Sequence, residues 1–350
     1  MLKSLKIENF RCFPSFEMQQ LGRLNLIVGT NNSGKTSILE ALQLLLSLPT
    51  NPTILSEIVV GRSEYTNEDG VNRLDICHLF YNHKIEEGIP ISILGKDEID
   101  KSKRILILRQ PTQISIIHSD EVKDNSEYLD LGLPISPSGI IILDRQTQRV
   151  WEQTYGNLPS KAQFINLFSL SSEKMVELFE RIVITPEEEI VIESLQVIEP
   201  RIKRIATVSS EKYRYEGAHS GFIVQLSNEN QRIPIGSMGD GVWRMLGLAL
   251  AIVNAKDGVL LVDEIDTGLH FTVMSDMWKM LWKTAKRLNV QIFATTHSKD
   301  CWTSLEDIAN QEHPSEDGIT IHRIEKGKTK SIVFTERQIA IAAENDIEVR

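Results

Sequence analysis

Gly29-Thr30-Asn31-Asn32-Ser33-Gly34-Lys35-Thr36 is an unbroken G-x-x-x-x-G-K-[ST] pattern, and its neighbours decide how it reads. The apolar run Leu24-Asn25-Leu26-Ile27-Val28 precedes it and Ser37-Ile38-Leu39-Glu40-Ala41-Leu42 follows. The spacing predicts a strand, a phosphate-cradling loop and a helix. Gly29 and Gly34 let the backbone turn tightly enough to aim several N–H groups, from Asn31, Asn32 and Ser33 through Ser37, at a phosphate chain. That chain would lie at the positive end of the helix. Lys35 is expected to reach the β- and γ-phosphates and the Thr36 hydroxyl to ligate Mg²⁺. The expected ligand is ATP with Mg²⁺.

Hydrolysis needs a metal-binding carboxylate and a group that takes a proton from water. Gly258-Val259-Leu260-Leu261-Val262-Asp263-Glu264 offers both at the end of an apolar strand, where open α/β sheets bind their ligands. Asp263 is the expected metal anchor. Glu264 is the expected general base, a role worth roughly 10²- to 10⁴-fold in rate. A second apolar strand, Gln291-Ile292-Phe293-Ala294-Thr295-Thr296-His297-Ser298, places His297 at its tip.

The order of phosphate loop, acidic strand and strand with a terminal histidine resembles the ABC-type ATPases. The resemblance implies that His297 contacts the γ-phosphate. It also implies a D-loop in Ile265-Asp266-Thr267-Gly268-Leu269-His270, with Asp266 near the nucleotide, and a signature loop in Ile235-Gly236-Ser237-Met238-Gly239-Asp240-Gly241-Val242-Trp243-Arg244. More narrowly, Ile7-Glu8-Asn9-Phe10-Arg11-Cys12-Phe13 and the Gly-Asp-Gly-x-x-Arg signature resemble the RecF/SMC-like group, and within it the OLD-family ATPases of AAA_15/AAA_21 type. Arg11, Gly239, Asp240 and Gly241 join the nucleotide-binding residues by this resemblance. One departure stands: Gly239 occupies the usual signature serine position and Ser237 lies two residues earlier, so either could take that role. The implied fold is α/β, a P-loop NTPase of ABC-ATPase type with a mixed central sheet, an antiparallel β lobe and a helical insertion. In this superfamily a signature loop completes the γ-phosphate site of the opposing subunit. The expected assembly is therefore a homodimer of ATP-sandwiched heads controlling a separate nuclease or toxin effector, or DNA, in phage defence or DNA repair.

The nucleotide motifs fall in two blocks, 1–60 and 230–350, which predicts a split head around an inserted 61–229. Leu74–Phe80, Ile89–Leu94, Ile105–Leu108 and Ile140–Leu143 read as antiparallel strands, and Ser172–Phe179 and the stretch from Thr185-Pro186 as helices. No heptad pattern persists, which excludes long coiled-coil arms. After His297 two short strands and a helix are expected, leaving no room for a Toprim nuclease domain. The 350 residues, 41% hydrophobic, can bury a large core. No apolar run approaches the roughly 20 residues of a membrane span, and the N-terminus leads into a strand, not a signal peptide. Cys12, Cys77 and Cys301 are too scattered for a disulfide framework. A cytoplasmic enzyme without membrane contact is expected. The net charge of −10 argues against wholesale wrapping of nucleic acid. Arg201, Lys203, Arg204, Lys212 and Arg214 read equally as a solvated face or as a DNA- or partner-facing patch. Lys279, Lys283, Lys286 and Arg287 are spaced as a solvated helical face, and Trp278 and Trp282 as core, with the opposing head as their alternative contact. Two rival readings are a nucleotide-sensing scaffold with negligible turnover and a transporter-type ABC subunit. The lack of a clear Q-loop glutamine and of a conventional signature argues against the transporter.

Overall fold

The computed structural model describes residues 1–47, 54–68, 71–111, 113–119, 129–136, 140–143, 162–165, 171–208, 221–227, 231–310 and 318–350. Its centre is a six-stranded mixed sheet in the order β11-β15-β16-β3-β17-β18, built from Ala162–Ile165, Val259–Val262, Gln291–Thr296, Leu24–Val28, Ile319–Arg323 and Ile332–Thr335. All neighbours run parallel except the edge pair β17 and β18. Such a sheet needs cover on both faces, and β3 shows why its sequence is nearly continuously apolar. Leu24, Leu26 and Val28 face one core while Ile27 faces the other.

The first core lies under helices Ser172–Glu180 (α3), Pro186–Gln196 (α4), Asp240–Asn254 (α5) and Met274–Leu288 (α6). The second holds helix α1, Lys35–Ser47, pressed between the central sheet and an antiparallel sheet. Ten of its thirteen residues are buried, because a helix between two sheets has no solvent side. The antiparallel sheet runs β2-β1-β6-β7-β8-β9, from Phe13–Gln19, Leu2–Phe10, Ile91–Asp97, Ser102–Arg109, Gln113–Ser119 and Leu129–Pro134. Its N-terminal strands are thus continuous with strands from within 61–229, and β11 from the same stretch joins the central sheet. Gln291 ties the two sheets together: its amide accepts from the Leu2 N–H at 2.9 Å and donates to Leu2 O and Gly22 O, both at 2.8 Å.

The strand expected over Leu74–Phe80 stops at Asp75. There the Asp75 carboxylate accepts from the Cys77 N–H at 3.0 Å, and Ile76–Leu79 winds into a 3-10 turn. A short polar side chain at a strand end offers the backbone an alternative to the ladder. Ile140–Leu143 (β10) leaves the large sheets and pairs with β5, Val71–Asp75. The helix from Pro186 forms, but Thr185 Oγ1 donates back to Ile182 O at 2.6 Å instead of capping it. Trp278 and Trp282 are both buried, and Trp278 Nε1 donates to Cys301 O at 3.0 Å. They are core residues. Lys283, Lys286 and Arg287 are exposed on α6; Lys283 and Arg287 are turned away from the tryptophans, whereas the Lys286 ammonium lies 5.0 Å from the centre of the Trp282 ring. Lys212 and Arg214 lie outside the described residues; Lys203 and Arg204 are exposed and Arg201 pairs with Glu199 at 2.8 Å. Among the described residues no helix is long and apolar enough to cross a membrane.

Candidate functional site

Strands β3, β15 and β16 are neighbours, so three motifs distant in sequence end at one edge of the sheet. The phosphate loop leaves β3 and enters α1, whose first turn closes with the Ile38 N–H donating to Gly34 O at 3.0 Å. Gly34 has φ +101°, and a Cβ there would run into the Phe13 ring and the Cys12 sulfur. Only glycine fits. Lys35 Nζ donates to Gly29 O at 2.8 Å and Thr30 O at 3.0 Å, which holds the ammonium over the loop. Burial lowers its pKa, opposed by the carboxylates of Asp263 and Glu264. Ser33 Oγ is buried and finds no hydrogen-bond partner among the described residues, a donor suited to a phosphate oxygen. Asn31 and Asn32 are exposed at the rim and Ser37 is buried at the helix start.

Thr36 Oγ1 donates to Asp263 Oδ2 at 2.9 Å across 227 residues of chain. This hydroxyl and carboxylate form an oxygen-only donor pair of the kind Mg²⁺ takes in phosphate-loop sites. The other carboxylate oxygen, Oδ1, accepts from Thr295 Oγ1 at 2.5 Å. That same Thr295 oxygen accepts the Glu264 N–H at 2.8 Å. One side chain therefore orients both acidic residues, and nothing in its local sequence marks it. Glu264 sits in the left-handed region, φ 46°. Such strain in a non-glycine residue persists where the surroundings over-determine it. The turn lifts its carboxylate to the lip, with Oε1 3.8 Å from His297 Nδ1. His297, half exposed, is fixed through its carbonyl, which accepts from Arg350 Nη1 at 2.5 Å. Asp266 Oδ1 accepts from Thr296 Oγ1 at 2.7 Å, which ties the segment after the acidic strand to β16.

Arg244 was visible only as the last letter of the signature pattern, and its position explains it. Its guanidinium is buried and donates to Glu264 O at 3.1 Å and, more weakly, to Asp263 O at 3.5 Å. Burial lowers its pKa, opposed by Asp266, Asp263 and Glu264. It couples the helix behind Gly239-Asp240-Gly241 to the acidic turn. Gly239, φ +91°, opens α5; Gly236, Ser237, Gly239 and Asp240 are exposed, while Met238 is half-buried against the core and Gly241 is half-buried at the helix start. Arg11 is engaged differently from a free phosphate ligand: Nε pairs with Glu40 at 3.0 Å, Nη1 with Glu64 at 2.5 Å and with His78 O at 3.1 Å. Its buried Nη2 alone has no partner among the described residues. The Glu40 carboxylate also accepts from Arg62 Nε at 2.6 Å, so this charge network braces α1 behind the loop.

Thr295→Val should expose how much the acidic turn depends on that one hydroxyl. It strips Asp263 of a donor and leaves the Glu264 N–H without its acceptor, a cost of about 1–3 kcal/mol. Urea unfolding should show a lower midpoint with an unchanged slope; an unchanged midpoint would mean that Thr295 does not hold the turn.

The family model for AAA_15, an AAA ATPase domain, matches residues 1–301. The chain is 24% identical over 340 residues to an ATP/GTP phosphatase of Helicobacter pylori, covering 89% of each chain. It is 23% identical over 360 residues to the DNA replication and repair protein RecF of Francisella tularensis subsp. novicida, covering 85% of this chain and 95% of the other. Among solved structures, an SMC head bound to the C-winged helix domain of ScpA superposes with a TM-score of 0.55 at 13% identity, covering 95% of this chain and 98% of that one. The fold is that of an SMC head.

Proposed function

The chain belongs to the AAA_15 family of AAA ATPase domains, within the RecF/SMC-like group, and is an ATPase; from that premise we propose that two copies close head to head on ATP and that hydrolysis releases them to control a DNA transaction. The observation that carries this reading is the Gly239-Asp240-Gly241 entry to α5, exposed at Gly239 and Asp240 and half-buried at Gly241. Nothing lies within 4 Å of where a Cβ on Gly239 would sit, and the nearest atoms to one on Gly241 are Gly268 O and Ile198 Cδ1 at 3.9 Å. Two approachable glycines at a helix N-terminus are suited to donate N–H groups to a phosphate brought by another molecule.

Within one head, Lys35 binds the β- and γ-phosphates and the loop N–H groups enclose them. Thr36 and Asp263 would hold Mg²⁺, which when bound would supply Lewis-acid stabilisation of phosphate charge. Glu264 accepts the proton of the attacking water while His297 meets the γ-phosphate from the tip of β16. Asp266 completes the surround, and Arg11, held by Glu40 and Glu64, braces α1 behind the loop. The partner head's Gly-Asp-Gly loop closes the site and excludes water, which strengthens each of these interactions. Downstream, the RecF relative supports a role on DNA, acting directly or through a separate nuclease effector as in OLD-type systems of phage defence.

Size-exclusion chromatography with light scattering tests the pairing. Saturating ATP with Mg²⁺ should double the solution mass relative to ADP, most clearly when turnover is slowed. A mass of one chain under ATP would overturn the head-to-head reading. Fluorescence anisotropy with duplex DNA should show binding to the paired form at low salt and release as salt rises.

A further inference from the structure

We propose that Asp75, Cys77 and His78, with His83 behind them, form a binding site for a zinc-class divalent transition-metal ion, separate from the nucleotide site. One ligand atom from each of Asp75, Cys77 and His78 lies within 4.8 Å of the others. The 3-10 turn makes this convergence. Asp75 Oδ1 is held by the Cys77 N–H at 3.0 Å, and Oδ2 lies 3.6 Å from His78 Nε2. Around tetrahedral zinc, with bonds of about 2.0–2.3 Å, the edges between ligand atoms run about 3.3–3.7 Å. The Asp75–His78 spacing is already such an edge, and the Cys77 sulfur on the same short turn needs only a small closure.

His83 supplies the second half of the argument. Its Nδ1 lies 3.0 Å from His78 Nδ1. One of the two must carry the shared hydrogen. When His78 carries it, its Nε2 presents a lone pair toward Asp75, which is how metal-binding histidines are oriented by an outer partner. The chain makes a sharp turn to achieve this, with Asn82 and His83 both left-handed at φ 55° and 57°. The donor set matters too. Sulfur, imidazole nitrogen and one carboxylate suit zinc, cobalt or copper, whereas the Thr36–Asp263 pair offers oxygen alone and suits magnesium. The fourth position faces solvent, since all three ligand residues are partly exposed.

The turn is also bound to the nucleotide head. The Arg11 N–H donates to Leu79 O at 2.8 Å, Arg11 Nη1 donates to His78 O at 3.1 Å, and the same guanidinium pairs with Glu40 on α1. A bound ion would pin the segment that holds Arg11 in place.

Chelator-treated full-length protein titrated with Co²⁺ tests this directly. We expect one equivalent bound, with a thiolate-to-cobalt charge-transfer band in the near-ultraviolet that survives excess Mg²⁺ and a Cys12→Ser substitution. Cys77→Ser should abolish the band. His78→Ala and Asp75→Asn, the latter keeping the cap acceptor, should each weaken binding by at least the roughly 10- to 100-fold typical of losing an outer-shell partner. Should Cys77→Ser misfold, the unaltered protein still decides: Zn²⁺ should protect Cys77 from alkylation, read by peptide mass spectrometry, and leave Cys12 unprotected. Absence of stoichiometric Co²⁺ binding, a band that persists in Cys77→Ser, or equal alkylation of Cys77 with and without Zn²⁺ would overturn the site.

Discussion

Glu264→Gln should leave ATP affinity nearly unchanged and slow hydrolysis at least ~100-fold, the low end for losing a positioned base. The substitution is close to isosteric. It keeps the backbone N–H that Thr295 Oγ1 accepts at 2.8 Å and keeps an oxygen for the Thr267 hydroxyl, 3.4 Å away. What it removes is the capacity to accept a proton and the negative charge 3.8 Å from His297 Nδ1. Binding depends on Lys35, Thr36 and Asp263, all untouched. A head that binds ATP without hydrolysing it should then accumulate as the closed pair, so a lower rate and a higher dimer fraction should appear together. His297→Ala should also slow turnover, with little effect on affinity. Equal turnover in Glu264→Gln and the unaltered protein, at matched ATP occupancy, would remove Glu264 from the chemistry.

The phosphate loop and the acidic strand were legible because each is contiguous: eight residues fix a backbone shape, and four aliphatics before Asp263-Glu264 fix a buried strand end. Their convergence follows from parallel pairing of β15, β16 and β3, which apolar strand sequence anticipates. Contacts made across the fold were not legible. Thr295 reads as one more small residue in an apolar strand, yet its hydroxyl holds Asp263 and Glu264 from 32 and 31 residues away. Arg11 is separated from Glu40 by 29 residues and from Glu64 by 53, so its ion pairs carry no local signature. The alternation over Leu74–Phe80 predicted a strand because period two counts side chains and cannot see a cap; the Asp75 carboxylate wins that segment for the 3-10 turn. Trp278 and Trp282, four apart in a helix, resolve as core through the same periodicity that suggested it, with Lys283 and Arg287 on the other face and Lys286 extended over the Trp282 ring.

The largest effect is expected at the signature loop, and the structure makes the experiment clean. Gly241→Asp should leave ATP binding to a single head nearly intact while abolishing the ATP-dependent dimer and most turnover. A side chain at Gly241 meets nothing closer than Gly268 O and Ile198 Cδ1 at 3.9 Å, so the isolated head can accept it without strain. An aspartate is also at home in the first turn of a helix. In the closed pair the same carboxylate would face a γ-phosphate in a site from which water is excluded. Like charges there repel by several kcal/mol, more than the loop's N–H groups could offset. Lys35→Ala supplies the complement: it removes the ammonium that Gly29 O and Thr30 O hold over the loop, and calorimetry in Mg²⁺ should find ATP binding lost or severely weakened. Neither variant alone should turn over. Mixed, each Lys35→Ala head offers an intact signature to the intact phosphate loop of a Gly241→Asp head, so every mixed pair regains one complete site and part of the activity returns. A mixture as inactive as its components, with both proteins folded and associating, would mean that each head completes its own site and that the Gly-Asp-Gly loop serves only to start α5.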